Sequence, residues 1–427
     1  VPLSTDQTIG AIDLQNRLIS CLRTCDALQE AANIGLAVSG GGDSMALMQA
    51  AAKAFAGSRH RLFVATVDHR LRAGAADEAA FVGRSAAALG LPHDTLVWED
   101  SSGPGNLQDR ARRARYTLLA DWAKAKDISC LVLGHTADDQ AETVLMRLRR
   151  EAGVDGLSGM GETRMEQGVM LVRPFLTLRR SELRRFLQNL DVDWVDDPSN
   201  EDLAFERIRM RRATAQLAEL GVSVENLAQV AENMSRVRSA LQWSTARAAH
   251  ECVSVRAGAV VFEQNSYQRL PDEIANRLLK GALKWLTRQP YAPRRAAMDR
   301  AVATARTHGT TTLCGCQLQV SKGRVWIFRE FNAVNSLICR LNESWDGRWE
   351  LSGPVETGQI IKALGPQGLQ YCENWRDLDC PAAVLHSVAA VWKGDEMMAC
   401  PSAGLDNGWA ASLTPSEDEF YQSFLSH

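Results

Sequence analysis

The sequence predicts an α/β protein: a doubly wound parallel-sheet domain, then a mainly helical domain, then a small mixed α+β module. Three observations carry this. From Ile34 to Leu133 short apolar runs alternate with longer amphipathic segments, as in a parallel sheet wrapped by helices. A glycine-rich turn joins the first run to the first amphipathic segment. Beyond Asn200 the alternation gives way to helical periodicity, and 427 residues exceed what one compact core holds.

The runs Ile34 to Val38, Leu62 to Val67, His93 to Trp98 and Ile128 to Leu133 read as strands. Between them Asp43 to Phe55, Ala75 to Leu89 and Leu107 to Lys124 read as helices. In such a sheet ligands bind beyond the carboxyl ends of the strands. After Pro198, Ser199 and Asn200 come helices without intervening strands, including an amphipathic stretch from Val224 to about Glu251. Thr311 to Leu313, Gln317 to Val320 and Val325 to Phe328 read as short strands, and from about Trp345 glycine, proline and tryptophan mix with short apolar runs. The expected domains are residues 1–217, 218–335 and 336–427.

Composition excludes several classes. An apolar fraction of 45% and a charged fraction of 23% are those of a globular protein, not a disordered one. No apolar run approaches the roughly 18 residues that span a bilayer, and the first residues lack a leader pattern, so no membrane association and a cytoplasmic location are expected. The ten cysteines include no CxxC pair, which speaks against a disulfide framework or a cysteine metal site. The net charge of −3 is not that of a basic nucleic-acid binder, but arginines cluster at Arg147 to Arg150, Arg179 to Arg185, Arg207 to Arg212 and Arg294 to Arg306. Each cluster reads either as a solvated helix face or as a phosphate footprint.

Ser39, Gly40, Gly41, Gly42, Asp43 and Ser44 stand where the first strand meets the first helix. Glycines let the backbone approach phosphate oxygens, while Ser39, Ser44 and the helix N–H groups supply donors. No lysine follows as in a Walker loop, which disfavours γ-phosphate transfer. Asp43 suits a Mg²⁺ bridging phosphates, or else a helix N-cap. On the helix from Asp138, residues Ala141, Val144, Leu145 and Leu148 form the expected buried stripe, with Asp139 and Glu142 on one flank and capping as the alternative role for Asp138 and Asp139. Around Leu107 the expected stripe is Ala111, Ala114, Leu118 and Trp122, with Arg115 beside it and Arg113 opposite.

The order Ser39-Gly40-Gly41-Gly42-Asp43-Ser44 resembles the signature of PP-loop pyrophosphatases, which cleave ATP between the α and β phosphates and adenylate a substrate. Three further blocks are similar to the tRNA(Ile)-lysidine synthetase family: Val67 to Arg72, Gly134 to Thr143, and Trp194 to Asn200 with Phe205 to Arg211. Arg70 stands where that family commonly has glycine, and Ile208 where it has asparagine. The likeness runs from about Ile34 to Arg212 and fades toward the end, where the lysine-rich stretch of many members is missing.

The resemblance implies ligation of free L-lysine to the wobble cytidine of the tRNA(Ile) with a CAU anticodon, using ATP and Mg²⁺. It implies that Ser39, Gly40, Gly41, Gly42, Asp43 and Ser44 bind ATP, with Asp43 on the metal. Arg115 would bind ATP phosphates, His135 would contact ATP or the adenylated intermediate, and Arg207 would stabilise charge during adenylation. Asp139 and Glu142 would hold the lysine ammonium. The second and third domains would select the tRNA. Oligomeric state is left open, a homodimer included. The competing readings are a PP-loop tRNA thiolase, which the lack of cysteines near the loops disfavours, and a non-catalytic RNA-binding protein.

Overall fold

A computed structural model describes residues 5–71, 74–99, 107–196, 206–289 and 293–425, with side chains from residue 13 onward. The chain divides into two compact units, residues 1–238 and 239–426.

In the first unit α1 (Thr5–Arg23) and α2 (Asp26–Glu30) precede β1 (Asn33–Ala37), α3 (Gly42–Ala54), β2 (Arg61–Asp68), α4 (Ala75–Ala88) and β3 (His93–Val97). Then come α5 (Leu107–Ala125), β4 (Cys130–Leu133), α6 (Ala137–Leu148), α7 (Val154–Leu157), β5 (Thr163–Glu166), β6 (Val169–Val172), α8 (Arg180–Asn189) and α9 (Glu206–Glu219). The unit closes on the first half of α10 (Val224–Cys252). The sheet order is β3-β2-β1-β4-β6-β5, parallel except for the antiparallel edge strand β5. All four expected strands and all three expected helices are present, within a few residues of their expected ends.

Helices cover both faces, which is why β1 and β4 are apolar on both sides. One face carries Leu18, Leu22, Met45, Leu47, Phe186 and Leu187; the other carries Tyr116, Leu119, Trp122 and Ala123 against Leu131 and Leu171. Gly35 in β1 allows α5 to press close, since a Cβ there would lie 2.8 Å from the Trp122 ring. Two stripes differ from expectation. In α5 the buried side chains are Tyr116, Leu119, Ala120, Trp122 and Ala123, while Ala111, Ala114 and Leu118 are half-buried, because the second half of the helix makes the sheet contact. In α6 the apolar packing uses Ala137, Ala141 and Val144 against Val224, Leu227 and Ala231 of α10, whereas Leu148 is 56% exposed in the last turn, beyond that contact.

The second unit holds the rest of α10, then β7 (Val253–Arg256), β8 (Ala259–Glu263), α11 (Gln264–Gln268), α12 (Asp272–Thr287), α13 (Arg295–Arg306), β9 (Thr310–Leu313), β10 (Cys316–Ser321) and β11 (Arg324–Arg329). These strands form one sheet, β7-β8-β11-β10-β9, with antiparallel neighbours. The three short strands expected after Thr310 are β9, β10 and β11; the hairpin β7-β8 was not expected in a region read as helical. It follows a long helix without a Gly or Pro break, and its two-residue turn, Ala257 and Gly258, has φ of 45° and 71°, the geometry of a tight hairpin turn.

The unit continues through α14 (Phe331–Val334), β12 (Ile338–Cys339), β13 (Trp349–Ser352), β14 (Gln359–Ala363), α15 (Gly365–Gly368), α16 (Ala382–His386), β15 (Ala389–Lys393), β16 (Glu396–Ala399), β17 (Ala410–Leu413) and α17 (Glu417–Gln422). A four-stranded sheet, β12-β14-β15-β16, and the pair β13-β17 organise this part. Phe420 and Phe424 at the chain end pack into the core of α12 with Leu279 and Leu283. Within the arginine cluster of α13, Arg306 is spent on Asp272 and the Leu270 carbonyl, while Arg294, Arg295 and Arg300 are exposed.

Candidate active site

The sheet order makes β1 and β4 adjacent strands whose chain continuations diverge, the switch point where α/β sheets open a crevice. Two turns meet there. After β1, Gly40 takes φ of 89° and its carbonyl accepts from the Val195 N–H at 2.9 Å. The Ser44 hydroxyl winds this turn, accepting from the Ser39 N–H at 3.1 Å and donating to the Gly41 carbonyl at 2.9 Å. The N-cap of α3 is Gly41 and no side chain caps it, so Asp43 is not the cap and the helix start stays open to an anion. After β4, Gly134 brings the second turn against α3: a Cβ there would lie 2.9 Å from the Asp43 carbonyl oxygen.

The crevice is a cleft of about 560 Å³, within the usual size of a small-molecule site. Ser39, Gly41, Gly42, Asp43 and Ser44 line it, as do Arg115, His135, Asp139 and Arg207. Two expected site residues do not. Gly40 serves the turn through its backbone, and Glu142 lies beneath the cleft, its side chain 2% exposed. Glu142 instead lines a smaller neighbouring cavity of about 240 Å³ with Asp138, Arg179 and Arg211.

A compact charge network forms the floor. Arg180, the first residue of α8, donates from Nε to Asp43 Oδ2 at 2.8 Å, from Nη2 to Asp139 Oδ1 at 3.0 Å and from Nη1 to Glu142 Oε1 at 3.5 Å. Arg207 donates to Glu142 Oε2 at 2.9 Å and to Asp139 Oδ1 at 3.2 Å, and Arg211 to Glu142 Oε1 at 3.0 Å. Asp139 divides its oxygens: Oδ2 accepts from the Thr136 N–H and hydroxyl at 2.8 and 3.0 Å, so the residue also caps α6. Asp138 is structural, binding the Arg180 N–H at 2.8 Å and the Arg179 guanidinium, and thereby fixing the start of α8 on α6.

Burial sets the protonation of these groups. It pushes the Asp43 carboxyl up, only partly offset by Arg180. It works to raise Asp139 as well, but the Arg207 and Arg180 guanidiniums overcome it and hold that carboxyl down. Burial lowers His135 to about 3, with Arg173, Arg207 and Arg115 opposing protonation and Asp139 favouring it, so the ring is neutral near pH 7. Its Nδ1 is buried without a partner, as are Arg115 Nε and His69 Nδ1 on the cleft wall. Arg115 lies over the Tyr116 ring at 5.2 Å, while Arg113 points outward to Asp109, as the helical phase requires.

Asp43 Oδ1 is likewise buried and unpartnered. Among the described residues no group of three or more His, Cys, Asp or Glu is arranged to hold a metal. The unpartnered Asp43 Oδ1 is the oxygen there that could meet a Mg²⁺, an ion held by one or two carboxylates with its other ligands from phosphates and water.

Sequence reasoning missed Arg180 and Arg211 as site residues. Both lie in named clusters, but only the packing of α9 on α6 and the hydrogen bonds that tie the start of α8 to Asp138 show which member turns inward. Arg72, Asp197 to Asn200 and Phe205, part of the family blocks, lie outside the described residues. The two departures have local accounts: Arg70 holds φ of 50°, a glycine-like conformation, and Ile208 is buried in α9.

The PP-loop domain family matches residues 13–218. A tRNA(Ile)-lysidine synthase of Ruegeria pomeroyi is 47% identical over 420 residues, 98% of this chain and 99% of that protein. One of Wolbachia pipientis is 32% identical, covering 86% of this chain and 88% of its own. Among solved structures, a tRNA thiolase of Methanococcus maripaludis overlaps 53% of this chain and 78% of its own at 15% identity and a TM-score of 0.46. With nearly full-length identity of 47%, the chain belongs to the tRNA(Ile)-lysidine synthase family.

Proposed function

We propose that this protein is an ATP-dependent ligase that joins L-lysine to C2 of the wobble cytidine of the tRNA(Ile) with a CAU anticodon. The observation that carries it is one cleft in which an open phosphate-binding helix start and Asp139 of α6 face each other across Arg180, with Glu142 bonded to the same guanidinium just beneath. In the first step cytidine O2 attacks the α-phosphate of ATP, the bond to the β-phosphate breaks and pyrophosphate leaves. In the second the lysine ε-amine attacks C2, and the C2–O2 bond breaks with AMP departing.

The residues divide that work. The Ser39 to Ser44 turn and the start of α3 hold ATP, and Asp43 would hold Mg²⁺, which would supply charge neutralisation at the phosphates. Arg115 and Arg207 stand at the cleft to meet charge that develops on the α-phosphate. The neutral His135 ring lines the wall of the nucleotide cleft, with its Nδ1 buried and unpartnered. Asp139 and Glu142 receive the lysine ammonium and help deprotonate the attacking amine. Residues 1–217 carry the chemistry, residues 218–335 bind tRNA and residues 336–427 contribute to its selection. The wobble base reaches the cleft cheaply because an anticodon loop is unpaired. Among the described residues no helix is long and apolar enough to cross a membrane; the cytoplasm is the compartment this reaction implies.

The test is incubation with ATP, Mg²⁺, labelled lysine and transcripts of tRNA(Ile), followed by nucleoside analysis. Labelled lysidine at the wobble position, with pyrophosphate released only when that tRNA is present, is the expected outcome. Pyrophosphate release without label in the nucleoside would point to a different nucleophile.

A further inference from the structure

Three carboxylates and three guanidiniums make the network at the cleft floor: Asp43, Asp139 and Glu142 with Arg180, Arg207 and Arg211. Their formal charges cancel. A lysine ammonium can therefore occupy the α6 carboxylates only if a guanidinium gives up its place, since a further cation beside a neutral set meets repulsion from the arginines already there.

Arg180 differs from the other two. Arg207 and Arg211 are each about two-fifths exposed and, among the described residues, pair with α6 carboxylates alone, whereas Arg180 is 17% exposed and also reaches Asp43 in the phosphate turn. Its backbone cannot drift, because its N–H is bonded to Asp138 and the neighbouring Arg179 bonds Asp138 and Glu225. Only its side chain is free to change partners.

We propose, resting on the function argued above, that Arg180 is a positioning residue that couples the two half-sites as a placeholder cation. In the ligand-free protein its guanidinium stands where substrate cations are to bind, holding Asp139 and Glu142 in place and blocking lysine. Phosphate oxygens entering at the start of α3 offer the guanidinium a new anionic partner. It turns toward them, and Asp139 and Glu142 become available to the ammonium. Lysine binding is thus made conditional on nucleotide by charge exchange.

The experiment is calorimetric titration of L-lysine into the full chain, alone and saturated with Mg²⁺ and α,β-methylene-ATP, for wild type, Arg180→Met and Arg180→Lys. For wild type the analogue should tighten lysine binding by about tenfold, within the usual range of coupled sites. Arg180→Met keeps an apolar stem but no charge, and should bind lysine in the free state about tenfold more tightly than wild type, with the analogue adding little. Arg180→Lys, a point charge that cannot bridge three carboxylates, should keep only part of the coupling. Equal free-state affinity in wild type and Arg180→Met, or undiminished coupling in either variant, would overturn the proposal. If Arg180→Met does not fold, unchanged affinity and coupling in Arg180→Lys overturns it alone. Failure of the wild type to form lysidine sinks the functional reading instead, whereas lysidine formation with uncoupled lysine binding sinks only this inference.

Discussion

Two groups of arginines in the first unit differ in what they hold. Arg180, Arg207 and Arg211 donate to the carboxylates of Asp43, Asp139 and Glu142. Arg147, Arg173 and Arg238 converge instead on uncharged acceptors of one glycine-rich turn: the carbonyls of Gly156, Gly159 and Gly161 and the Ser158 hydroxyl. Arg112 and Arg164 lie close enough to oppose the charge of Arg147 and Arg173, and burial with this mutual repulsion lowers the pKa of both. A guanidinium that meets a carboxylate is neutralised and can trade partners. One that meets a carbonyl is fixed in place with its charge intact, which is what a phosphate backbone requires. On this division the first group is expected to serve chemistry, and the second to serve attraction through the exposed Arg112 beside it rather than through the buried Arg173.

The largest effect that tests this division is on turnover. Arg207→Ala should lower single-turnover adenylation at saturating tRNA by roughly 10²–10³, the usual loss for a donor to a charge-developing oxygen, while tRNA affinity changes only a few-fold. Quenched-flow pyrophosphate release beside filter binding measures both. A normal rate with weakened binding would move Arg207 into the attraction group.

For the second group the expected effect is smaller and depends on salt. Arg112 is exposed, stacked at 5.3 Å on Tyr116, and its removal spares the carbonyl bonds that shape the turn. Arg112→Ala should weaken tRNA binding and flatten the slope of log affinity against log salt by about 0.7–0.9, with ATP affinity unchanged. An unchanged slope would mean that no phosphate is met there.

His135 reports the balance between the groups, since Arg173, Arg207, Arg115 and Asp139 all act on it. Its folded pKa of about 3 lies below the ordinary 6.5, so protons bind preferentially to the unfolded chain. The stability it contributes is complete above about pH 6.5 and is lost progressively as pH falls toward about 3. His135→Asn cannot titrate and should show a shallower fall in urea midpoint between about pH 7 and 5 than wild type. Parallel curves would mean that the ring takes up protons in the fold as it does in the unfolded chain.

Legibility in the sequence followed the range of the interactions. The strands β1, β2 and β4 were readable because burial in the sheet writes apolar runs, the edge strand β3 because it keeps the alternation with helices, and the Ser39 to Ser44 turn because its chemistry is local. The α6 carboxylates were readable as a pair, but their partners were not: Arg180 and Arg207 lie 38 or more positions away from Glu142, and no local pattern tells which arginine of a cluster turns inward. Leu148 failed for a related reason, since helical phase gives the face but not where along it the neighbour ends. The hairpin β7-β8 was hidden because its turn is Ala257-Gly258, without the usual Asn or Asp.

The smallest effect separates conformation from charge. Arg70 closes the block after β2 with φ of 50°, its N–H bonded to Asp68 Oδ1 at 2.8 Å and its side chain exposed. A left-handed backbone costs a residue with a Cβ about 1–2 kcal/mol, while glycine adds about 1 kcal/mol of entropy to the unfolded chain. The difference leaves Arg70→Gly more stable by up to about 1 kcal/mol, read as a higher urea midpoint with the same slope. Arg70→Ala keeps the Cβ and loses the same charge, so it should show no such gain. If both variants stabilise equally, relief of repulsion among cations is the cause rather than backbone strain, and Arg70 would then belong with the charge-bearing arginines of the second group. If neither loses tRNA affinity across the salt series, the charge at this position does not serve attraction, and what distinguishes the site is its left-handed backbone conformation.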